Sequence, residues 1–176
     1  MACELTKGRL EPCKDAVGGI QALVFLNYQE YQITEAAGVI TEIFEDDGVT
    51  EPTGVRYVVR DNTSNVTQNI NSSRDNGTTF IEQVVSATLK KMTAADNEEL
   101  MLMIYGRPLV IVEDSNKKYW LVGMEWGADV TAGTAVTGAA MGDLNGYTLT
   151  LTAMERKFAP EMDATAYDSI TIVEGV

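Results

Sequence analysis

TFIEQVVSATLKKM, residues 79–92, decides how the rest of the chain must fold. Ile81, Val85, Ala87 and Leu89 share one parity, with Gln83 the exception among them. The opposite parity carries Glu82, Ser86, Thr88 and Lys90, with Phe80 and Val84 interspersed. Such alternation belongs to a strand with one dry face and one wet face. The run is also longer than the common strand of about five or six residues.

The period changes directly after it. Thr93 is a good N-cap, and Asp96 stands at the N3 position of the capping-box-like TAAD. Asp96, Glu98 and Glu99 lie in the first turns, where the helix dipole favours negative charge. Leu100, Met103 and Ile104 fall on one face, Gly106 serves as a C′ stop, and Pro108 prevents continuation. The spacing therefore predicts a helix over 93–106.

Strand signals surround this helix on both sides. Residues 20–28 (IQALVFLNY) form a nearly continuous apolar run, fit for a strand buried on both faces, and Gly18-Gly19 permits a tight turn into it. Residues 39–44 and 55–60 are further strand candidates, separated by the acidic turn Glu45-Asp46-Asp47-Gly48 and by a second turn over 51–54. In the polar stretch 61–79, Val66, Gln68, Ile70 and Ser72 alternate with polar neighbours, and Asp75-Asn76-Gly77 predicts a hairpin turn. Downstream, 109–112 and 119–124 flank EDSNKK as a hairpin. The glycine-rich residues 127–146 read as a loop, and the Gly138–Gly142 spacing reads as part of it, not as a helix contact. Strands follow at 147–152 (YTLTLT), with Tyr147, Leu149 and Leu151 on one side, and at 169–173.

One isolated helix among strands cannot support βαβ winding, so the sheets should be mainly antiparallel. The fold expected is mainly β: an antiparallel β-sandwich or barrel flanked by one α-helix, with all 176 residues in a single domain. Its parts are an N-terminal arm (1–18), strands and a hairpin (19–92), the helix (93–106), and strands with a C-terminal segment (107–176).

Composition excludes much chemistry. The chain has no histidine, which removes Ser-His-Asp and Cys-His pairs, HExxH zinc sites and histidine proton shuttles. No carboxylate pair stands out among the 26 acids. The expectation is a protein with no catalytic residues, no metal and no cofactor. Cys3 and Cys13 are too few for a structural zinc site. They read as free thiols in a reducing compartment or as a late staple, whose small loop would contribute roughly 3 kcal/mol. Gly18-Gly19 is not a phosphate loop, because Lys14 precedes the glycines instead of following them.

The net charge of −13 argues against gripping nucleic acid. It suits either a soluble subunit or a surface that must not adhere to a polyanion. Four N-x-[ST] sequons, at Asn62, Asn65, Asn71 and Asn76, suggest a glycosylated ectodomain when read alone. The N-terminal MACELTKGR lacks the apolar segment of a secretory signal, and no apolar run reaches membrane-helix length. The expectation is assembly in a cytoplasm without a membrane partner.

CELTKGRLEPCKDAVGGIQALVFLNY, residues 3–28, resembles the start of virion structural proteins of tailed phages, particularly those of Bacteroidetes-type bacteria. The later order of long strand, helix and hairpin, with MEWGADVTAGTAVTGAAMGDLNGYTLTLTAMERKFAP over 124–160, is similar in organisation to phage tail tube proteins. The resemblance implies a helix-flanked sandwich that assembles into hexameric rings, whose sheets join into an inner barrel. Stacked rings would form a virion tail tube through which DNA passes without specific binding, with other tail proteins as further partners. Glu45, Asp46 and Asp47 are candidates for a ring-to-ring contact with Lys14, Lys90 and Lys91 of a neighbour, or else form a solvated loop tip. The alternatives are another virion ring (tail terminator, head–tail connector or baseplate subunit) and a secreted carbohydrate-binding sandwich using Trp120, Trp126 and the tyrosines.

Overall fold

The apolar run at the start of the domain forms β1 (Ile20–Leu26), a strand buried on both faces, in a computed structural model that describes residues 5, 7–59 and 63–175. Leu23 and Phe25 enter one core while Val24 and Leu26 enter another. This two-sided burial makes β1 a central strand.

After β1 come β2 (Tyr31–Ala36), β3 (Val39–Glu45), β4 (Thr53–Val58), β5 (Asn65–Ser73) and β6 (Thr78–Lys90). The helix α1 (Ala94–Tyr105) follows, then β7 (Leu109–Asp114), β8 (Tyr119–Val122), β9 (Asp129–Val136) and β10 (Gly146–Glu155). The chain ends with β11 (Glu161–Met162), a short helix α2 (Ala164–Asp168) and β12 (Thr171–Glu174). The eight strands of the larger sheet run β12-β4-β1-β7-β8-β11-β3-β2, and the four of the smaller run β5-β6-β10-β9. Every pairing is antiparallel except β11 with β3 and β12 with β4. The fold is thus mainly β, two sheets face to face, as the alternation at 79–92 required.

The inter-sheet core sets Leu23, Val110, Val112 and Val122 of the larger sheet against Val85, Ala87, Leu149 and Leu151 of the smaller. Gln83 lies within the same dry face, almost fully buried, and is satisfied there. Its amide nitrogen donates to the Lys157 carbonyl at 3.1 Å, and its oxygen accepts from the Gly123 N–H at 3.1 Å. The exception in the sequence pattern is a cross-link between the strand and two loops.

A second core lies on the far side of the larger sheet, where Val24, Ile40, Ile43, Ile111, Leu121 and Met162 pack with Ala166 of α2. Ile33 of β2 and Ile172 of β12, from opposite edges of that sheet, both reach this core. The sheet therefore curls around α2, but β2 and β12 do not pair. A sandwich, not a closed barrel, is the outcome.

Several local expectations need correction. Within 127–146, residues Asp129–Val136 form the edge strand β9, paired along β10, and only the following stretch is a loop. Val130, Thr131, Thr134 and Val136 are β-branched and suit that strand. Gly133 lies where a Cβ would come within 3.1 Å of both Leu149 Cδ2 and the Thr148 carbonyl oxygen. A second helix, α2, precedes the last strand, capped by the Asp163 carboxylate. Gly106 ends α1 with φ −90°, a value open to any residue, so the stop comes from Pro108. Gly19 does need its freedom: its φ is +98°. Of the sequons, Asn62 lies outside the described residues, as does Cys3 with its proposed staple, whereas Cys13 is exposed.

Candidate assembly surface

The outer face of the smaller sheet is set by the same alternation that fills its core. On β5 it presents Asn65, Thr67, Asn69, Asn71 and Ser73. On β6 and β10 it presents Val84, Ser86, Thr88, Thr148, Thr150 and Thr152, with the exposed apolar side chains Phe80 and Met154 towards one end. At the face positions of these three strands the charged side chains are Glu82 and Lys90, near opposite ends of β6. Asn69 Nδ2 donates to the Glu82 carboxylate at 3.2 Å. Thr131 and Thr152 hydroxyls meet at 3.0 Å, and Thr134 pairs with Thr148 across the same strands. Hydroxyl and amide groups thus dominate a face without net charge, with Phe80 and Met154 as its exposed apolar end.

Both edges of this sheet are open among the described residues: β5 on one side and β9 on the other. An open edge offers unpaired N–H and C=O groups to another strand, and proteins usually guard it with charge, proline or a bulge. Beyond Asp129, which pairs with Arg107 at 3.2 Å, β9 carries no charge and no proline, and its one irregularity is a bulge at Thr131, where the register with β10 shifts. β5 is likewise uncharged and proline-free.

The predicted contact residues are not brought together within one chain. Asp47 is tied into its own turn, its carboxylate accepting from the N–H groups of Val49 at 2.9 Å and Thr50 at 2.7 Å and from the Thr50 hydroxyl. The Thr50 hydroxyl and these N–H groups hold its pKa below the usual aspartate value. Gln32 Nε2 donates to the Asp46 carbonyl at 2.7 Å, and the Glu45 carbonyl accepts from Gly48 N–H at 2.9 Å. This turn shares a concavity with Met124 and Glu125, and the Glu125 N–H donates to Glu155 at the end of β10. Lys90 pairs with Gly146 at the start of β10, and the Lys91 N–H donates to the Asn145 carbonyl. The ten-residue β10, about 30 Å long, separates its Glu155 end, near the concavity that Asp46 shares with Glu125, from its Gly146 end beside the two lysines. Lys14 is exposed in the arm.

Thr93 and Asp96 do their expected local work. The Thr93 oxygen accepts from the Asp96 N–H at 3.0 Å and its hydroxyl donates to the Asp96 carboxylate at 2.7 Å. The helix they start lies across the inner face of the smaller sheet, where the Tyr147 hydroxyl donates to Asn97 Oδ1 at 2.6 Å and Leu100 is buried.

One feature escaped the sequence reading. Between α1 and β9 runs an apolar groove of about 390 Å³, lined by Leu100, Met101, Ile104, Val130, Tyr147 and Leu149. Met101 and Ile104 are each about half exposed there. The signal was the run LMLMIY, which carries apolar side chains too far round the helix for a single buried stripe.

Comparison with protein-family models, with curated proteins and with solved structures returns no match.

Proposed function

We propose that the chain is a structural protein of a tailed-phage virion, a tail tube subunit that assembles into hexameric rings and stacks them into a conduit for DNA. The observation that carries this reading is the smaller sheet: a hydroxyl-rich outer face without net charge, bounded by two open edges that carry no proline and little charge. Joining the β5 edge of one copy to the β9 edge of the next continues the sheet and closes it around a lumen, which removes both edges from solvent. The hydroxyl and amide face then lines the channel. Each lysine or arginine contact to phosphate adds a salt-dependent attachment that slows a passing polymer, and this face offers one lysine at its end.

Stacking has its own support in the opposite placement of Glu45, Asp46 and Asp47 and of Lys90 and Lys91, which lets one ring present acids to the bases of the next. The role needs no catalytic residue and no cofactor. Its partners are further copies of the chain and other tail proteins, its location is the virion tail, and assembly takes place in the host cytoplasm.

The test is negative-stain microscopy of the purified protein beside its solution mass by light scattering. Rings or stacked tubes with a hole near the width of duplex DNA are the expected result. A closed ring that never stacks transfers the assignment to a tail terminator or head–tail ring. A monomer at high concentration overturns it.

A further inference from the structure

Residues 7–18 are exposed throughout and enter no helix or strand. The arm nevertheless carries large apolar side chains: Leu5 and Leu10 are almost fully exposed, and Val17 is well over half exposed. Its base is fixed, because the Val17 N–H donates to Asn116 Oδ1 at 2.9 Å and the Val17 carbonyl accepts from Asn116 Nδ2 at 2.8 Å. At that point the arm lies beside Asn65 and Val66 of β5. The arm therefore leaves the molecule at one edge of the smaller sheet, while the groove between α1 and β9 opens at the other.

We infer that the arm of one copy docks in the α1–β9 groove of the next, seating Leu10 against Met101 and Ile104. This rests on the side-by-side ring proposed above, in which the β5 edge meets the neighbour's β9 edge and the arm starts beside the groove it must fill. Its own groove lies three strand spacings away, about 14 Å, on the far side of a filled core. From residue 17 back to residue 5 the extended arm spans about 40 Å, ample to cross the joint and run along the helix.

Charge does not oppose this occupant. Residues 1–18 hold three bases, Lys7, Arg9 and Lys14, against three acids, Glu4, Glu11 and Asp15, so the arm is neutral in a chain of net charge −13. α1 holds Asp96, Glu98 and Glu99 and no base. A neutral, leucine-bearing strap with bases at Lys7 and Arg9 beside Leu10 thus meets an acidic helix with exposed apolar side chains.

The test uses the full chain carrying Cys3→Ser, which leaves Cys13 as its one thiol, exposed three residues beyond Leu10. Cys13 is labelled with a benzophenone maleimide, light and 15N-labelled preparations are co-assembled, and the irradiated products are mapped by mass spectrometry. Crosslinks joining Cys13 of one isotope to residues 97–104 or 130–135 of the other are expected. Their yield should fall at least tenfold in Leu10→Asp and in the double variant Met101→Asp/Ile104→Asp, whose half-exposed positions should leave the circular dichroism spectrum and melting temperature close to those of the parent. Crosslinks confined to one copy, crosslinks to other surfaces, or a yield indifferent to both variants overturn the inference. Microscopy of the same sample separates it from the tube reading: rings without arm crosslinks refute only the docking, and arm crosslinks in dimers that never ring refute only the tube. A monomer without intermolecular crosslinks refutes both.

Discussion

Replacing Gln83 with leucine sets the sequence pattern against the structure. On pattern alone, Gln83→Leu completes the dry face of β6 and should stabilise the protein. Leucine adds two apolar carbons in place of the amide head, a gain of about 1.6 kcal/mol. It also removes both partners of a buried cross-link. The Gly123 N–H, held at 3.1 Å in a site closed to water, would lose its acceptor at about 1–3 kcal/mol. The Lys157 carbonyl, less deeply buried, would lose about 0.5–1.5 kcal/mol. The losses outweigh the gain, and the expected outcome is a net destabilisation of about 1–2 kcal/mol. In a domain of this size that lowers the melting temperature by about 2–8 °C. Urea unfolding of both proteins at one pH measures it directly, provided the slope is unchanged. A leucine variant as stable as the parent, or more so, would refute the reasoning and mean that the two loops find other partners.

Thr93→Ala should cost α1 about 0.5–2 kcal/mol, read by urea unfolding, because the Asp96 N–H loses its acceptor. Leu149→Asp, on the dry face of β10, should abolish folding by circular dichroism, since an unpaired charge there costs more than about 4 kcal/mol; a folded variant would contradict the strand's register. Glu82→Lys, on the wet face, should keep the melting temperature within a few degrees while altering the assemblies seen by light scattering. Glu155 is buried, and loss of hydration raises its pKa despite N–H donors from Trp126 and Glu125. The native state therefore holds that proton more tightly than the unfolded chain, and stability should rise as pH falls from 7 towards the ordinary glutamate value of about 4.3. Glu155→Gln, which keeps an acceptor for both N–H groups, should flatten that rise in a series of thermal melts, and an unchanged slope would assign it to another group.

What the sequence disclosed was whatever a single segment decides for itself. The parity of β6, the Asp75-Asn76-Gly77 turn joining it to β5, the Thr93 cap and the dry face of β10 all follow from side chains a few residues apart, and all stand in the structure. β2 was not legible, because it is a polar edge strand whose Tyr31 and Ile33 alone reach the second core. β9 hid for a related reason: it has one strand neighbour, and apart from Val130 its residues are exposed. The parallel contacts of β11 and β12 join segments more than a hundred residues apart in the chain, which no local period encodes. The candidate surface was half legible. Glu45, Asp46, Asp47, Lys90 and Lys91 could be named, but their relation to the two ends of β10 needed the fold.

Net charge was the weakest guide to the surface, and the reason bears on how a conduit wall would work. A value of −13 suggests a lumen that repels phosphate by its acids. Alternation on β5, β6 and β10 instead sends mostly threonine, serine and asparagine outward, with Glu82 the one acid on the face, and leaves most acids to turns, helix starts and the larger sheet. Repulsion from acids placed elsewhere is screened within about 8 Å at physiological salt. A neutral wall needs no such reach. Its hydroxyls and amides hold water, exchange hydrogen bonds with a passing backbone at little net gain, and carry no counterion-release term to fix the polymer in place. Threonine suits the task twice, because its β-branched side chain also favours the strand and forms cross-strand pairs such as Thr131 with Thr152. Under the proposed function, the residue type that builds the sheet is then also the one that keeps its surface slippery, and the acidic excess is free to serve solubility and the contacts between rings.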